Sequence, residues 1–465
     1  MNSFTIELNS ENGKHLYEQI YEYIKAEIRE GKLLCNEKLP STRSLAEYLQ
    51  VSRSTVDLAY EQLVSEGYIE ARPCKGYYVC KLEGVFQLQI EATDDERKSS
   101  ILDTSFAYDF SPNGIDMSAF PFATWKRISK EILRDNRGEL FALGSPKGDW
   151  ELRATISRYL HSSRGVNCSP EQVIVGAGND YLLMLLSKIL ETSQHVAMDD
   201  PTYKRAYRMF TSCGYQISAI APDESGMQLS AVRESGANLL YVMPSHQYPT
   251  GIVMPIGRRM ELLKWAGEKE DRYIIEDDYD SEFRYKGKPI PALQGSDRSG
   301  KVIYIGTFSK AIAPAIRVSY MVLPRQLLCI YENNYSFLAS TVSRIDQMIL
   351  NEFICKGHFE RHLNKMRKLY KGKHDVLLKA LKPLEKQFAI SGENAGLHLL
   401  LTDKKGRTET ELLEAAKAHD VKVYGMSENF VHANPEKTVL LLGYAGMSEE
   451  EIIKGIDILQ NVWKC

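Results

Sequence analysis

The stretch GTFSK at residues 306–310, followed by Arg317, decides the fold of the larger part of this 465-residue chain. It comes directly after residues 302–305, an apolar run with the length of a buried strand. A glycine turn with two hydroxyls, a lysine and a nearby arginine can place an amine and an anion-binding fork at the end of that strand. The stretch therefore predicts a ligand site at the carboxyl end of a strand, as in α/β sheets.

Helical and strand-like segments alternate on both sides of this stretch, from Phe110 onward. Such alternation is typical of an α/β domain whose mostly parallel sheet is covered by helices on both faces. We therefore expect residues 105–465 to form one large α/β domain. The strand candidates are 172–175, 239–242, 273–275 and 302–305, and the helical candidates include 181–190 and 260–266.

Two further segments carry groups suited to the same site. Residues 274–279, IIEDDY, are predicted to form a buried strand that ends in acids and a tyrosine. Residues 176–180, GAGND, precede a helical run and leave backbone N–H groups free at a helix N-terminus, where phosphate binds well. An amine, a carboxylate for a ring nitrogen, a phosphate cup and a ring support are what pyridoxal phosphate requires of a protein. The set predicts that cofactor, although each motif alone is more often a surface turn.

The first 80 residues follow a different plan. An apolar residue at every fourth position predicts an amphipathic helix over 15–31. Ser41 can cap a short second helix, and Ser52 can cap a third over 53–66. The short spacing between these two helices indicates a helix-turn-helix.

A β-hairpin follows, with β-prone runs at 68–71 and 77–80 around a turn at 73–76. Helices and hairpin in this order predict a winged helix-turn-helix whose third helix enters the major groove of DNA. An arginine at the start of that helix can pair with guanine, and a lysine at the hairpin tip can reach a phosphate. The candidate DNA contacts are Arg43, Arg53, Ser54, Thr55 and Lys75. Residues 1–80 hold nine Lys and Arg against twelve Asp and Glu, so a module for protein contacts is the alternative.

The whole chain is nearly neutral, with 58 Lys and Arg against 61 Asp and Glu. This excludes a surface that is basic throughout, but it does not exclude a local DNA-binding face. The eight cysteines form no C-x-x-C pair and the histidines show no zinc spacing, so no metal is expected. We expect neither a signal peptide nor a membrane span, and therefore a cytoplasmic protein. Residues 81–104 are polar and charged, which predicts a linker or a segment with one short helix.

Residues 39–79, LPSTRSLAEYLQVSRSTVDLAYEQLVSEGYIEARPCKGYYV, resemble the DNA-binding domain of GntR-type bacterial regulators almost without a gap. The resemblance implies a winged helix-turn-helix over residues 1–80 that binds a double-stranded DNA operator. Many members carry another arginine one turn along the recognition helix. This chain has Asp57 there, so its base contacts are expected to differ at that position.

From about Tyr108 to its C-terminus the chain resembles class I aminotransferases of fold type I. The matched pieces are FSPNGIDMSAFPFATW, GSPKGDWELRATISRYL, DDPTYKRA, MPSHQYPTG, EDDYDSEFRY and GTFSKAIAPAIRVSY. Together, the N-terminal and C-terminal resemblances make the chain similar to the MocR-type regulators over nearly its full length. This implies a mostly parallel sheet, a smaller C-terminal α/β subdomain and pyridoxal 5'-phosphate as the cofactor.

The resemblance also implies roles for single residues, with Lys310 forming the Schiff base to the cofactor. We prefer Asp277 to Asp278 at the pyridine nitrogen, because in the family the tyrosine stands two residues after the acid. The other implied contacts are Tyr279 at the ring oxygen, Tyr203 at the ring, Gly178, Asn179, Thr307, Ser309 and Arg317 around the phosphate, and Arg205 in the effector pocket.

The chain departs from the enzymes at two places. They usually have Asn before Pro-Thr-Gly, touching the ring oxygen, whereas this loop reads HQYPTG, so His246 or Gln247 is expected there. They also clamp the substrate carboxylate with an arginine near the C-terminus, but Arg407 is the last arginine here, and residues 440–444 contain none. A lysine does not reproduce that planar fork. The α-amino acid grip is therefore missing or rebuilt, with Arg205 as the candidate.

The leading hypothesis is a pyridoxal-phosphate-dependent transcription regulator. An amine or amino acid, or the cofactor itself, would be sensed through aldimine exchange at Lys310 and would shift the population of a DNA-binding arrangement. The resemblance implies a homodimer. The alternatives are a catalytically active aminotransferase with an accessory DNA-binding head, and a DNA-binding protein whose large domain is only a dimerisation scaffold. The missing arginine argues against the first alternative, and the Lys310, Asp277 and Arg317 set argues against the second.

Overall fold

The computed structural model describes residues 6, 8, 14–81, 106–134, 138–190, 194–285, 287, 289–432 and 437–464. The chain divides into two compact units, Met1–Asp103 and Thr104–Cys465. The predicted linker at 81–104 lies outside the described residues, apart from Lys81. Each unit has an apolar core of its own. No helix in the described part of the chain is long and apolar enough to cross a membrane.

The N-terminal unit packs three helices against a two-stranded antiparallel hairpin. The helices predicted over residues 15–31 and 53–66 agree with the structure to within two residues at each end, the second helix follows Ser41 as predicted, and each predicted strand is displaced by one residue. The elements are α1 (Leu16–Arg29), α2 (Thr42–Leu49), α3 (Arg53–Ser65), β1 (Ile69–Arg72) and β2 (Gly76–Val79).

Two serine caps define the helix-turn-helix. The Ser41 hydroxyl accepts a hydrogen bond from the N–H of Ser44 at the start of α2, and the Ser52 hydroxyl accepts one from the N–H of Thr55 at the start of α3. Such caps satisfy N–H groups that the first helical turn leaves without partners. The apolar stripe of α1 is buried and α1 packs against α3, while Arg53 and Ser54 at the start of α3 are exposed.

The C-terminal unit contains the remaining described elements. Its helices are α4 (Phe122–Arg134), α5 (Trp150–Arg164), α6 (Asn179–Ile189), α7 (Lys204–Ser212), α8 (Leu229–Ser235), α9 (Ile256–Gly267), α10 (Arg325–Asn334), α11 (Arg344–Cys355), α12 (His358–Leu381), α13 (Glu409–Lys417) and α14 (Glu449–Val462). Its strands are β3 (Tyr108–Asp109), β4 (Val173–Gly176), β5 (His195–Asp199), β6 (Gln216–Ile220), β7 (Leu239–Val242), β8 (Tyr273–Asp278), β9 (Val302–Thr307), β10 (Ser319–Val322), β11 (Phe388–Ser391), β12 (His398–Asp403), β13 (Val421–Lys422), β14 (Tyr424–Gly425) and β15 (Val439–Gly443).

A seven-stranded sheet forms the centre of this unit, in the order β4-β10-β9-β8-β7-β5-β6. All neighbouring strands are parallel except those beside β10, which is antiparallel to both β4 and β9. Every residue of β4 and β7 is buried, as expected for strands covered by helices on both faces. The predicted mostly parallel α/β fold is confirmed.

The acidic strand predicted over residues 274–279 is present as β8, which is buried from Ile274 to Asp278. Strand β9 extends further than the sequence predicted, through Gly306 and Thr307, and this extension reaches the site. In the parallel ladder Asp278 lies opposite Gly306. The acids of β8 and the GTFSK turn therefore meet at one edge of the sheet.

A smaller antiparallel sheet, in the order β11-β12-β15-β14, belongs to the C-terminal part of the same unit. Helices α12 and α14 pack together, and their apolar residues share one core with this sheet. The smaller C-terminal α/β subdomain that the resemblance implied is thus present.

Candidate cofactor and DNA-binding sites

A cavity of about 140 Å³ opens at the carboxyl ends of β8 and β9. All ten residues proposed for the cofactor and effector line it: Gly178, Asn179, Tyr203, Arg205, Asp277, Tyr279, Thr307, Ser309, Lys310 and Arg317. Five further residues complete the lining: Asn113, Asp180, Met243, Tyr248 and Ser319. We call this space the cofactor cavity.

Lys310 supplies an amine to the cofactor cavity. Its Nζ atom donates a hydrogen bond of 3.2 Å to the carbonyl of Pro112 and lies 5.7 Å from the ring centre of Tyr279. Burial lowers the pKa of this amine, and the charge of Asp280 opposes that shift. A lysine whose pKa is lowered by burial is a better nucleophile near neutral pH than an exposed one.

Asp277 and Asp278 point to opposite sides of β8, because side chains alternate along a strand. Asp277 lines the cavity and accepts hydrogen bonds from the Tyr241 hydroxyl and, at 3.3 Å, from Asn179 Nδ2. Asp278 instead forms a buried ion pair of 2.7 Å with Arg164. Burial raises the pKa of Asp277 to about 7, against the effect of the Tyr241 hydrogen bond. A cation placed beside this carboxylate would favour its ionised form.

The GTFSK turn and the start of α6 form a polar cup. Gly178 has φ +91°, and a Cβ there would collide with the Arg317 guanidinium, so the turn depends on glycine. The Thr307 hydroxyl accepts hydrogen bonds from the Ser309 N–H at 3.1 Å and from the Ser319 hydroxyl at 2.9 Å. Glycine thus lets the backbone and the guanidinium approach each other at a helix N-terminus, where an anion binds well.

Two buried polar atoms in this cup have no hydrogen-bond partner among the described residues. They are Ser309 Oγ and Asn179 Oδ1. Because buried polar groups are nearly always paired, these atoms indicate a place for a polar ligand. A cup with unpaired polar groups and a guanidinium fits the phosphate of pyridoxal phosphate, with the Lys310 amine and the Asp277 carboxylate in the same cavity.

Asp180 joins two arginines at the rim of the cup. Its carboxylate lies 3.2 Å from Arg317 and 3.7 Å from Arg205, whose side chain is 63% exposed. Asp180 was not singled out in the sequence, although it belongs to the GAGND segment. Its carboxylate opposes an anion in the cup, so a phosphate there would compete with it for Arg317.

The loop before Pro249 does not place His246 or Gln247 in the cofactor cavity. Gln247 is bound to the backbone carbonyl of Pro201, and His246 contacts Tyr279 from outside the cavity. Tyr248, which immediately precedes Pro249, lines the cavity instead. The sequence could have predicted this from the position of Tyr248, which stands where the enzymes have their asparagine.

The C-terminal arginine is absent from the cavity, as expected. Arg407 forms a 2.6 Å ion pair with Asp403, and neither residue lines the cavity. Leu441, within the 440–444 segment where the enzymes carry their clamp, is buried against Leu400 and Met426. Tyr248 packs against the same apolar cluster and also lines the cavity.

The candidate DNA contacts lie on the surface of the N-terminal unit. The side chains of Arg43 and Arg53 are 81% and 70% exposed. Each pairs with an acid one turn along its own helix: Arg43 with Glu47 at 3.2 Å and Arg53 with Asp57 at 3.5 Å. The remaining candidates, Ser54, Thr55 and Lys75, are on the first turn of α3 and at the hairpin turn. Asp57 thus lies beside the arginine proposed to read a base.

Family models match both parts of the chain. Residues 16–79 match the bacterial regulatory proteins of the gntR family, and residues 114–459 match aminotransferases of class I and II. Among solved structures, kynurenine aminotransferase of Pyrococcus horikoshii superposes with a TM-score of 0.68 at 25% identity, over 78% of this chain and 91% of that one. The fold and the cavity therefore define an aminotransferase-like domain, joined here to a winged helix-turn-helix.

Full-length relatives specify the family. The uncharacterized HTH-type transcriptional regulator YdeL of Bacillus subtilis is 42% identical over 97% of both chains. The probable rhizopine catabolism regulatory protein MocR of Rhizobium meliloti is 34% identical over 96% of this chain and 94% of its own. The chain belongs to the MocR-type transcriptional regulators, which bind DNA through the GntR domain, and its cofactor is pyridoxal 5'-phosphate.

Proposed function

We propose that this regulator senses a small primary amine, an amino acid or pyridoxal phosphate itself in the cofactor cavity, and that occupancy of the cavity changes its affinity for an operator. The observation that carries the proposal is that the Lys310 amine, the Asp277 carboxylate and the Arg317 guanidinium line one cavity. When bound, pyridoxal phosphate supplies an aldehyde carbon that bonds to primary amines. Lys310 is the resident amine, and an effector amine would take its place.

Individual residues have separate tasks in this proposal. Asp277 would face the pyridine nitrogen, where a carboxylate favours the protonated ring. Tyr279 would hydrogen-bond the ring oxygen, and Tyr203 would border the ring. The phosphate would be held by Gly178, Asn179, Thr307, Ser309 and Arg317.

The effector end of the cavity favours recognition of the amine over recognition of an α-carboxylate. Leu441 lies in the segment where the enzymes carry their carboxylate-binding arginine. Its apolar cluster cannot form the paired hydrogen bonds of an arginine fork. Arg205 is then the residue proposed to meet an acidic group on an effector. It is largely exposed and sits on the first turn of α7. This arrangement supports a sensor over an aminotransferase with efficient turnover.

We also propose a cytoplasmic homodimer that binds a paired operator site. The exposure of three large apolar side chains in the C-terminal unit argues for a dimer. Phe141, Leu143 and Phe337 are 77%, 92% and 78% exposed. Large apolar side chains exposed to this degree are typical of interaction surfaces. The DNA contacts proposed are Arg53, Ser54 and Thr55 at base edges, with Arg43 and Lys75 on the backbone.

Titration of an operator fragment, with and without a panel of amines and amino acids, tests the proposal. The operator can be sought in DNA flanking the gene. An effector should change the affinity of the wild-type protein for the operator and the visible absorbance of the bound cofactor over the same concentration range. Protein that ignores the fragment at every effector concentration would contradict the regulatory role. Repeated conversion of an amino donor to its keto acid would instead favour an aminotransferase.

A further inference from the structure

Tyr279 has a second set of partners outside the cofactor cavity. Its hydroxyl lies 3.0 Å from His246 Nδ1, and the same nitrogen lies 3.0 Å from Asp280 Oδ2. The His246 and Asp280 side chains are 4% and 3% exposed. A buried acid, a buried imidazole and a phenol are therefore connected, and the phenol also lines the cavity.

The position of the histidine proton follows from these contacts. If Nδ1 carried no proton, its lone pair would face the Asp280 carboxylate at hydrogen-bond distance, which is unfavourable in a buried place. A protonated Nδ1 donates to Asp280 and can share its proton with the Tyr279 oxygen. The carboxylate thus selects the Nδ1–H form of His246, as carboxylates do for other oriented histidines.

The direction of the Tyr279 hydroxyl follows in turn. With Nδ1–H facing it, the Tyr279 oxygen accepts from the histidine, and its own hydrogen is left to point elsewhere. Burial raises the pKa of this phenol well above its usual value, and Asp280 acts in the same direction through its charge and a hydrogen bond, so the hydroxyl keeps its hydrogen. Tyr279 also lines the cofactor cavity, so a ring oxygen there is the other acceptor open to that hydrogen.

The histidine ring is held in place by its surroundings. Gly396, with φ +83°, packs so closely that a Cβ there would collide with the imidazole. The ring of His398 lies 5.8 Å away, and burial lowers its pKa to about 4, so this neighbour is uncharged near neutral pH. Arg164 and Arg284 line the small cavity that also contains His246 and Asp280. The imidazole is therefore confined by packing and faces charges of both signs.

We infer that His246 and Asp280 are positioning residues that orient the Tyr279 hydroxyl as a hydrogen-bond donor into the cofactor cavity. These two residues contact Tyr279 from outside the cavity. They replace part of the hydrogen bonding at the ring oxygen that the loop asparagine provides in aminotransferases. The inference rests on the proposed contact of Tyr279 with the ring oxygen. It requires neither DNA binding nor an effector.

A double-variant experiment tests this inference through the affinity for pyridoxal phosphate and the pH midpoint of its visible absorbance. Loss of a neutral hydrogen bond should weaken cofactor binding about fivefold. The midpoint should rise, because a ring oxygen without its donor leaves the conjugated nitrogen more basic. His246→Leu and Tyr279→Phe should each show both changes. His246→Leu should add less than about twofold in the Tyr279→Phe background, because it acts through that hydroxyl.

Two conservative variants supply the controls. His246→Asn keeps an N–H donor near the place of Nδ1 and should remain within about twofold of wild type. Asp280→Asn no longer selects the Nδ1–H form and should weaken cofactor binding as His246→Leu does; its absorbance midpoint is not compared, because the Asp280 charge also raises the pKa of Lys310 directly. If the leucine variant does not fold, as judged by circular dichroism, the two conservative variants test the inference by themselves. His246→Asn should stay near wild type, whereas Asp280→Asn should not.

The contrary outcomes are distinct. Independent, additive losses in the double variant, an unchanged midpoint in His246→Leu, or unchanged cofactor affinity in both His246→Leu and Asp280→Asn would overturn the positioning role alone. Wild-type protein that never develops the cofactor absorbance would overturn the proposed sensing function, and with it this inference.

Discussion

The candidate contact residues of the two units differ in how far they are removed from solvent. Arg43 and Arg53 of the N-terminal unit are largely exposed, and each pairs with an acid on its own helix. Asp277 of the C-terminal unit is 3% exposed and accepts hydrogen bonds from Tyr241 and Asn179. Exposed ion pairs contribute about 1 kcal/mol or less to stability, whereas buried polar networks are strongly coupled to their surroundings.

This difference implies two kinds of response to mutation. Changes on the surface of the N-terminal unit should alter DNA affinity and little else. Changes in the cofactor cavity should alter cofactor binding, effector response and stability together. The expected outcomes below test this distinction, beginning with the largest effect.

Lys310→Ala should abolish the visible absorbance of bound pyridoxal phosphate, since no other lysine lines the cofactor cavity in the described part of the chain. The effector response of operator binding should disappear with it. Absorbance spectra and binding titrations with labelled operator measure both effects. Lys264→Ala, on the exposed side of α9, is the matched control and should behave as wild type. A Lys310→Ala protein that keeps its effector response would break the link between the lysine and sensing.

Arg53→Ala should weaken specific operator binding by about 10- to 100-fold, the usual effect of removing one bidentate base contact. Cofactor loading and its absorbance should stay unchanged, because Arg53 belongs to the exposed set. Fluorescence anisotropy with operator and scrambled DNA measures the specific part. Simultaneous loss of the cofactor would show that the two units do not respond separately.

Arg205→Ala should lower the affinity for effectors with an acidic group about tenfold, since a charged hydrogen bond contributes about 1.5–3 kcal/mol. Amines without an acid should be unaffected. The comparison uses an amino acid and its decarboxylated amine, titrated by absorbance. Arg208→Ala, on the exposed side of the same helix, is the control. Equal losses for both ligands would argue against a carboxylate contact.

Asp277→Asn should stabilise the cofactor-free protein at neutral pH, by on the order of 1 kcal/mol, while weakening cofactor binding. Burial raises the pKa of Asp277 to about 7 from 3.8, so the folded form holds a proton that the unfolded chain releases between these values. Stability from this group is therefore lost as pH rises from about 4 to 7. Denaturant unfolding across this range should show a smaller loss in the asparagine variant.

Asp278→Asn is the control for that measurement. It removes one partner of the buried pair with Arg164 and should destabilise the protein throughout the same pH range. If Asp277→Asn were destabilising at every pH as well, the two neighbouring acids would not have the separate roles assigned to them.

Asp57→Ala should have the smallest effect. The exposed pair with Arg53 contributes about 0.5 kcal/mol or less, so the unfolding midpoint should hardly change. Removing a negative charge from the recognition helix should raise affinity for any DNA a few-fold at low salt. Salt titrations with non-specific DNA measure this change. A large loss of operator specificity would instead identify Asp57 as a base-reading residue.

Much of the candidate site followed from the order of local motifs. GTFSK and GAGND follow apolar strands, IIEDDY begins as one, and parallel strands bring the polar segments at their ends to one edge. The end of β9 was placed too early because glycine, here Gly306, is disfavoured in strands. Burial and the ladder between β8 and β9 override that preference.

Side-chain direction was less accessible from the sequence. The loop HQYPTG offered several candidates for the ring oxygen, and His246 and Gln247 were favoured over Tyr248. Which of them faces the cavity depends on how the loop packs against β8 and the small subdomain, and these contacts are distant in sequence. Asn113 and Ser319 were missed for the same reason.

The sequence by itself determined the two-part organisation, the helix caps, the cofactor motifs and the lack of an arginine at 440–444, because these depend on residue type and local spacing. Only the tertiary structure decided that Asp277 faces the cavity while Asp278 meets Arg164, that Leu441 is enclosed in an apolar cluster, and that His246 reaches Tyr279 from behind. Those choices depend on the register between strands and on packing between distant segments, since alternation along a strand sets two opposite directions but not which one meets the ligand.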